Sequence, residues 1–328
     1  MFDLKYLKAA CVYRIASGFL FSILLSACST TLEIDKIRSS PDFASHKPVN
    51  ISVPFYAQEE YQCGPAALAM LLNWASVSVS PEQLKNLVYV PDKQGSFPLE
   101  IMAAARQFDR LPYVIKPDLS ALISELESGN PVLVFQNLGL SWLPKWHFAV
   151  VTGIDLAANE ITLHSGTIEN HKMTLEKFER TWQRADKWAI VAMRAGQLPK
   201  SAEPLSFLKA VSYFEQHAKL NFAKSFYESA VQRWPDQPVV LMAMANISYR
   251  LKSFDTASEY YRKIISIDDS YAPAHNNLAL VLIEQDNLSE AKKHALRAVS
   301  IGGKRSENYR ETLNQLDRLL QQNAEQSP

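Results

Sequence analysis

The alternation of apolar and polar positions changes character along this chain, and each change predicts a different kind of structure. From Gly64-Pro65-Ala66-Ala67 to Leu71-Leu72-Asn73-Trp74 the residues are small or apolar almost without interruption. A run of that kind, with proline in its first turn where a missing N–H does no harm, predicts a buried helix starting just after Cys63. Ser80-Pro81-Glu82-Gln83 reads as a cap with proline at the first helical position, and further helices are expected near residues 98–108 and 119–128. The texture then shifts to short β-branched and aromatic runs broken by Gly, Pro, Asn and Asp, at 131–135, 147–153, 160–164 and 188–192. Helices first and strands later predict a segregated α+β domain over about residues 49–195. Residues 196–203 read as a linker, and everything beyond them has a helical pattern.

That last third repeats. Ala223, Ala257 and Ala291 are spaced by 34, and the same interval joins Leu220, Phe254 and Leu288, joins Ala210, Met244 and Leu278, and joins Tyr227 to Tyr261. A 34-residue period is that of tetratricopeptide repeats, in which two antiparallel helices approach closely through small residues and bury their apolar face by stacking on neighbours. Residues 204–325 are therefore expected to hold three repeats, about 204–237, 238–271 and 272–305, with a C-terminal capping helix over 307–322.

The first 27 residues have a different order: Lys5, Lys8 and Arg14, an apolar run over 15–24, then Leu25-Ser26-Ala27-Cys28. The run is short of the roughly 20 residues that span a bilayer. The segment resembles a bacterial lipoprotein signal with a Leu-Ser-Ala-Cys lipobox. That resemblance implies removal of residues 1–27, lipidation of Cys28 as the new N-terminus, and a tether over 28–48. Ser29 rather than Asp after the cysteine implies the outer membrane, with the body facing the periplasm. An uncleaved anchor or plain secretory signal is the alternative, and it also places the body outside the cytoplasm.

Composition narrows the function classes. The chain has 34 basic and 34 acidic residues among 328, so no global field favours nucleic acid, and no basic cluster interleaves with aromatics. Of the three cysteines, Cys11 leaves with the signal and Cys28 carries lipid, so Cys63 is the remaining thiol and no disulfide framework or cysteine zinc site is expected. His171, His217, His275 and His294 lack metal-ligand spacing, and no cofactor is required.

The chemistry gathers around Cys63. Gln58 lies five residues before it, and the expected helix begins immediately after it. A helix N-terminus favours thiolate, and the Gln58 amide together with the Cys63 backbone N–H is suited to cradle a tetrahedral oxyanion. His147, at the start of a core strand, is the best placed of the seven histidines to serve as base. A buried inert cysteine is the bland alternative. Trp142 and Trp146 read equally as cleft walls or as packing, Glu59-Glu60 as a solvated turn, and His164 as a surface or supporting histidine.

Gln-x-x-x-x-Cys-Gly-Pro-Ala-Ala-Leu, then His-Phe-x-Val-Val-x-Gly, then Ile-Thr-Leu-His, resembles the bacteriocin-processing, double-glycine leader peptidases over about residues 49–195. The resemblance implies a papain-like cysteine peptidase fold, with Cys63 as nucleophile, His147 as general base then acid, and Gln58 in the oxyanion hole. Members are usually fused to transporter subunits and cut after Gly-Gly, and the substrate does not carry over safely to this chain. The family has Asp followed by Pro at the third catalytic position, whereas this chain has Ser165-Gly166. Ser165 can accept a hydrogen bond from His147 but brings no charge, so Asp155 or Asn159 are alternative groups to orient the imidazole. Two functions follow. One is an envelope-tethered peptidase whose repeats recruit a peptide or protein substrate or a partner. The other is a weak or inactive peptide-binding adaptor in an envelope or secretion assembly. Relatives that act as adaptors usually lack the cysteine.

Overall fold

A computed structural model describes residues 33–41, 43–58 and 62–326. The signal, Cys28 and Glu59-Glu60 therefore lie outside the described residues. The described residues up to His46 form one unit, and the described residues from Lys47 onward form another. The part of the expected tether that is described is not featureless. It holds helix α1 (Glu33–Arg38) and a single 3-10 turn (Phe43–Ser45). Acidic Glu33 and Asp35 at the start of α1, with Lys36 and Arg38 at its end, complement the helix dipole.

The second unit opens with β1 (Val49–Asn50), followed by α2 (Cys63–Trp74), α3 (Pro81–Val88) and α4 (Pro98–Gln107). Then come β2 (Leu111–Val114), α5 (Leu119–Glu127), β3 (Val132–Asn137), β4 (Trp146–Asp155), β5 (Glu160–Ser165), β6 (Ile168–Thr174), α6 (Leu175–Gln183) and β7 (Ala189–Met193). The strands form one antiparallel sheet in the order β2-β7-β3-β4-β5-β6, with β1 added beside the far end of β4.

Pattern explains the layering. Helix α2 is buried on every side from Gly64 to Leu72, so it has no solvent face and serves as the core of its layer. It packs with α3 and α4 against the alternate residues Leu133, Phe148, Val150, Ile190 and Ala192 of the sheet. On the opposite face Gln136 of β3 donates to the Thr181 hydroxyl of α6 at 2.7 Å. Helix α3 starts at the expected cap: the Ser80 hydroxyl accepts from Gln83 N–H and the Gln83 side chain accepts from Ser80 N–H.

Helices α7 (Pro204–Gln216) and α8 (Leu220–Arg233), α9 (Pro238–Arg250) and α10 (Phe254–Ile267), α11 (Ala272–Glu284) and α12 (Leu288–Ile301) follow as three hairpins, ended by α13 (Ser306–Gln326). Ala223, Ala257 and Ala291 are fully buried where paired helices approach closely, and Leu220, Phe254 and Leu288 open the second helix of each pair. The turns repeat as well. Ala218, Lys252 and Asp286 all take left-handed φ, at 58°, 59° and 56°.

The hairpins are docked firmly on the sheet domain. The buried Glu125 carboxylate accepts from Ser201 N–H at 2.7 Å, from the Ser201 hydroxyl at 2.6 Å and from Asn130 at 2.7 Å, which fixes the connecting segment. Glu203 N–H donates to the Tyr113 hydroxyl, Lys219 pairs with Asp109, and the Arg106 guanidinium lies 4.6 Å from the Tyr213 ring centre. Among the described residues no helix is long and apolar enough to cross a membrane.

Candidate active site

Cys63 is the first residue of α2, where backbone N–H groups lack intrahelical partners. Only glycine fits the next position, because a Cβ on Gly64 would come within 2.2 Å of the Ser96 hydroxyl oxygen. The N–H groups of Phe148, Gly64 and Cys63 itself face the sulfur and favour its ionised form, but burial outweighs them and pushes the thiol up. The thiolate expected from the helix terminus is thus favoured by these N–H groups and opposed by burial. Desolvation is the larger effect.

His147 stands near the start of β4, and its Nε2 is paired with the Ser165 hydroxyl at 2.9 Å, leaving Nδ1 as the remaining ring nitrogen. Burial, with the positive charges of Lys145 and His171 adding to it, pushes His147 down to about 4. The resting pair is therefore a neutral thiol and a neutral imidazole. The alternative orienting groups are engaged elsewhere: Asp155 accepts from Ala158 N–H, and Asn159 donates to Glu176. Ser165 alone of the three holds the ring. Its hydroxyl can donate or accept, so unlike a carboxylate it does not dictate which ring nitrogen carries the proton.

Gln58 joins the same point. Its Nε2 donates to the Phe148 carbonyl at 3.3 Å, and its backbone N–H donates to Gly166 O at 3.0 Å, across the turn that follows Ser165. An amide nitrogen carries two hydrogens, so one remains for an oxyanion.

Sequence reasoning singled out Gln58, Cys63, His147 and Ser165 but missed Phe148, whose backbone gathers them. Its N–H faces Cys63 and its carbonyl holds Gln58. Both groups are available because β5 stops at Ser165, before it reaches Phe148, while the cross-strand partner Phe135 gives its own N–H to Trp188 O. The end of a strand is invisible in a residue pattern centred on side chains.

His164 is not a surface residue. It is 2% exposed, with Nε2 donating to Val53 O at 3.0 Å and Nδ1 accepting from Asn170 N–H at 3.2 Å. Its register opposite Val150 turns it toward the segment leading to Gln58, where it also meets the Phe55 ring edge-on at 5.3 Å. His164 thereby anchors the segment that leads to Gln58. Trp142 is 78% exposed on the loop before β4, and Trp146 stacks on Phe135 with ring centres 5.1 Å apart. His275 and His294, on successive helices, face each other through Nδ1 at 3.0 Å, but among the described residues no three His, Cys, Asp or Glu side chains converge as a metal site.

Comparison with known proteins agrees with this architecture. Residues 50–190 match the model of the "Peptidase_C39 like family", and residues 239–271 match that of the "Tetratricopeptide repeat". The chain thus carries a C39-peptidase-like domain followed by tetratricopeptide repeats. A C39-like peptidase from Bacillus anthracis is 18% identical, with 45% of this chain and 98% of that one covered at a TM-score of 0.40. The double-glycine motif protease of an AMS/PCAT transporter, solved with its leader peptide, is 22% identical over 45% of this chain and 97% of that one, at 0.34. The first repeat domain of Spaghetti, bound to an HSP90 peptide, is 21% identical over 36% of this chain and 92% of that one, at 0.33. No curated protein matches the chain.

Proposed function

We propose that the sheet domain hydrolyses a peptide bond with Cys63 as nucleophile, and that the repeats recruit the substrate or a partner that delivers it. The observation that carries the reading is the convergence of Cys63, the His147–Ser165 pair and Gln58 on the backbone of Phe148. With both groups neutral at rest, His147 Nδ1 takes the thiol proton as sulfur attacks the carbonyl carbon. The oxyanion is held by the Gln58 amide and the Cys63 N–H, and His147 then gives the proton to the leaving amine. Water, activated by the same imidazole, hydrolyses the thioester and restores the thiol. Lipidation at Cys28 and attachment to the outer membrane, facing the periplasm, complete the proposal.

The second reading, a peptide-binding adaptor, is favoured by one observation: the third position holds a serine hydroxyl and no carboxylate. A mass-spectrometric screen of peptide cleavage by the full-length protein in detergent micelles separates the two. Wild type is expected to cut a subset of peptides, Cys63→Ala none, and Gln58→Ala to turn over about 10²- to 10³-fold more slowly. Absence of cleavage in wild type, with Cys63→Ala neutral in cells, would overturn the peptidase reading in favour of the adaptor.

A further inference from the structure

Gln58 sits on a segment that has no strand of its own, since residues 51–58 are irregular throughout. At its ends Ile51 N–H donates to Thr152 O at 2.7 Å and Gln58 N–H donates to Gly166 O at 3.0 Å. Between them, among the described residues, the segment is tied at Val53 O, which accepts from His164 Nε2 at 3.0 Å. The Phe55 ring, two residues further on, meets the same imidazole edge-on at 5.3 Å. One ring thus supports the middle of the segment twice, by a hydrogen bond and by an aromatic contact.

The same ring closes an irregularity at the end of β5. Leu163 pairs with His171 and Ser165 with Ile168, so His164 stands opposite two residues of β6, Glu169 and Asn170. That is a β-bulge, and its extra residue is left without a ladder partner. The Asn170 N–H is taken up by His164 Nδ1 at 3.2 Å, with Asn170 itself left-handed at φ 54°. Ser165, whose hydroxyl meets His147 Nε2, and Gly166, whose carbonyl accepts from Gln58, both lie inside the loop of chain that this bond closes. The two bonds also fix the proton on the ring. A carbonyl oxygen only accepts and an amide N–H only donates, so Nε2 carries the hydrogen and Nδ1 the lone pair.

We propose that His164 is a positioning residue for the Cys63 site. As the Nε2–H tautomer it holds the Gln58 segment through one nitrogen and the Ser165 turn through the other, so a single buried ring sets both the oxyanion donor and the group that orients His147. The roles of Gln58 and Ser165 rest on the peptidase reading, but the coupling through His164 can be tested without cleavage.

The two nitrogens are separable by substitution. Asparagine places its amide oxygen where Nδ1 stands, so His164→Asn keeps the Asn170 bond and releases Val53. Glutamine places its amide nitrogen where Nε2 stands, so His164→Gln does the reverse. In the full-length protein in micelles, His164→Asn should speed hydrogen exchange of the 53–58 segment about tenfold or more and leave the imidazole nitrogen NMR signal of His147 as in wild type. His164→Gln should keep the segment protected and move the His147 signal to its position in Ser165→Ala. A side chain that merely fills space would move both readouts together, so a change of both in both variants, or of neither, would overturn the coupling. Wild type gives a check that no misfolded variant can spoil: nitrogen shifts of His164 showing Nε2–H support the proposal, and Nδ1–H overturns it. On peptides that wild type cuts, His164→Asn should lower kcat about tenfold or more with KM within about threefold. A wild type that cuts nothing, with the exchange and His147 readouts still separated between the variants, refutes the peptidase reading and leaves the coupling standing.

Discussion

Replacing Ser165 with aspartate tests how the neutral pair arises. In the wild type His147 is pushed down to about 4 because it is buried beside Lys145 and His171, with a hydroxyl in place of a carboxylate at Nε2. A carboxylate in the position of the Ser165 hydroxyl puts its charge about 4 Å from the imidazolium. At an effective dielectric of about 20 that separation contributes about 4 kcal/mol, or about three pKa units. His147 should then titrate near 7, and the carboxylate should lock the proton onto Nε2, leaving Nδ1 to face the thiol. Histidine Cε1–H NMR titration of the full-length protein, with His147→Gln to assign the signal, reads the shift directly. Iodoacetamide labelling of Cys63 below pH 8 should rise at least tenfold in the variant, because an imidazolium next to the sulfur offsets its desolvation. A wild-type His147 titrating near 6.5, or a Ser165→Asp variant still titrating near 4, would refute the reasoning.

The same burial makes stability depend on pH. His147 is protonated near 6.5 in the unfolded chain and only near about 4 when folded, so its contribution is complete above pH 6.5 and is lost as pH falls toward 4. The loss reaches about 3 kcal/mol below pH 4, and urea unfolding from pH 7.5 to 4.5 should show most of it in wild type and not in His147→Gln. Gly64→Ala should destabilise by about 1–3 kcal/mol through its clash with Ser96, and Ser96→Gly should restore much of that loss in the double variant, as read by the denaturation midpoint. Lys252→Gly should raise thermal stability by about 0.5–1 kcal/mol, since glycine relieves the left-handed strain at φ 59°; an unchanged or lower midpoint would contradict this.

The repeats were legible because their structure is periodic: the alanine column of Ala223, Ala257 and Ala291 recurs at the same depth, each residue fully buried. The left-handed turns at Ala218, Lys252 and Asp286 share that period but escaped notice, since none is glycine. Strand β6 was missed because Ile-Glu-Asn-His-Lys-Met-Thr lies at the sheet edge and is largely exposed, so polarity there does not signal a loop. Strand β2 was hidden by Pro112, which is tolerated because this strand is the other edge, paired through β7 alone. Helix α6 left a readable trace in Leu175, Phe178, Glu179 and Trp182, spaced for one buried face. In the site, side-chain identities pointed to Gln58, Cys63 and His147. The main-chain groups of Phe148 and the depth of His164 depend on where β5 ends and what crosses it, which only the assembled sheet defines.

The buried carboxylate of Glu125, locked onto Ser201, turns the junction between sheet and repeats from a flexible leash into a fixed mount. On a flexible leash, a captured ligand samples many distances, and its local concentration at a second site falls as the leash lengthens. On a fixed mount the separation between a repeat-bound segment and the cleft is set by the protein, so any chain that reaches both must span one length. If one chain binds both repeats and cleft, as proposed above, the spacing between its two short stretches, rather than either stretch alone, becomes part of what is recognised.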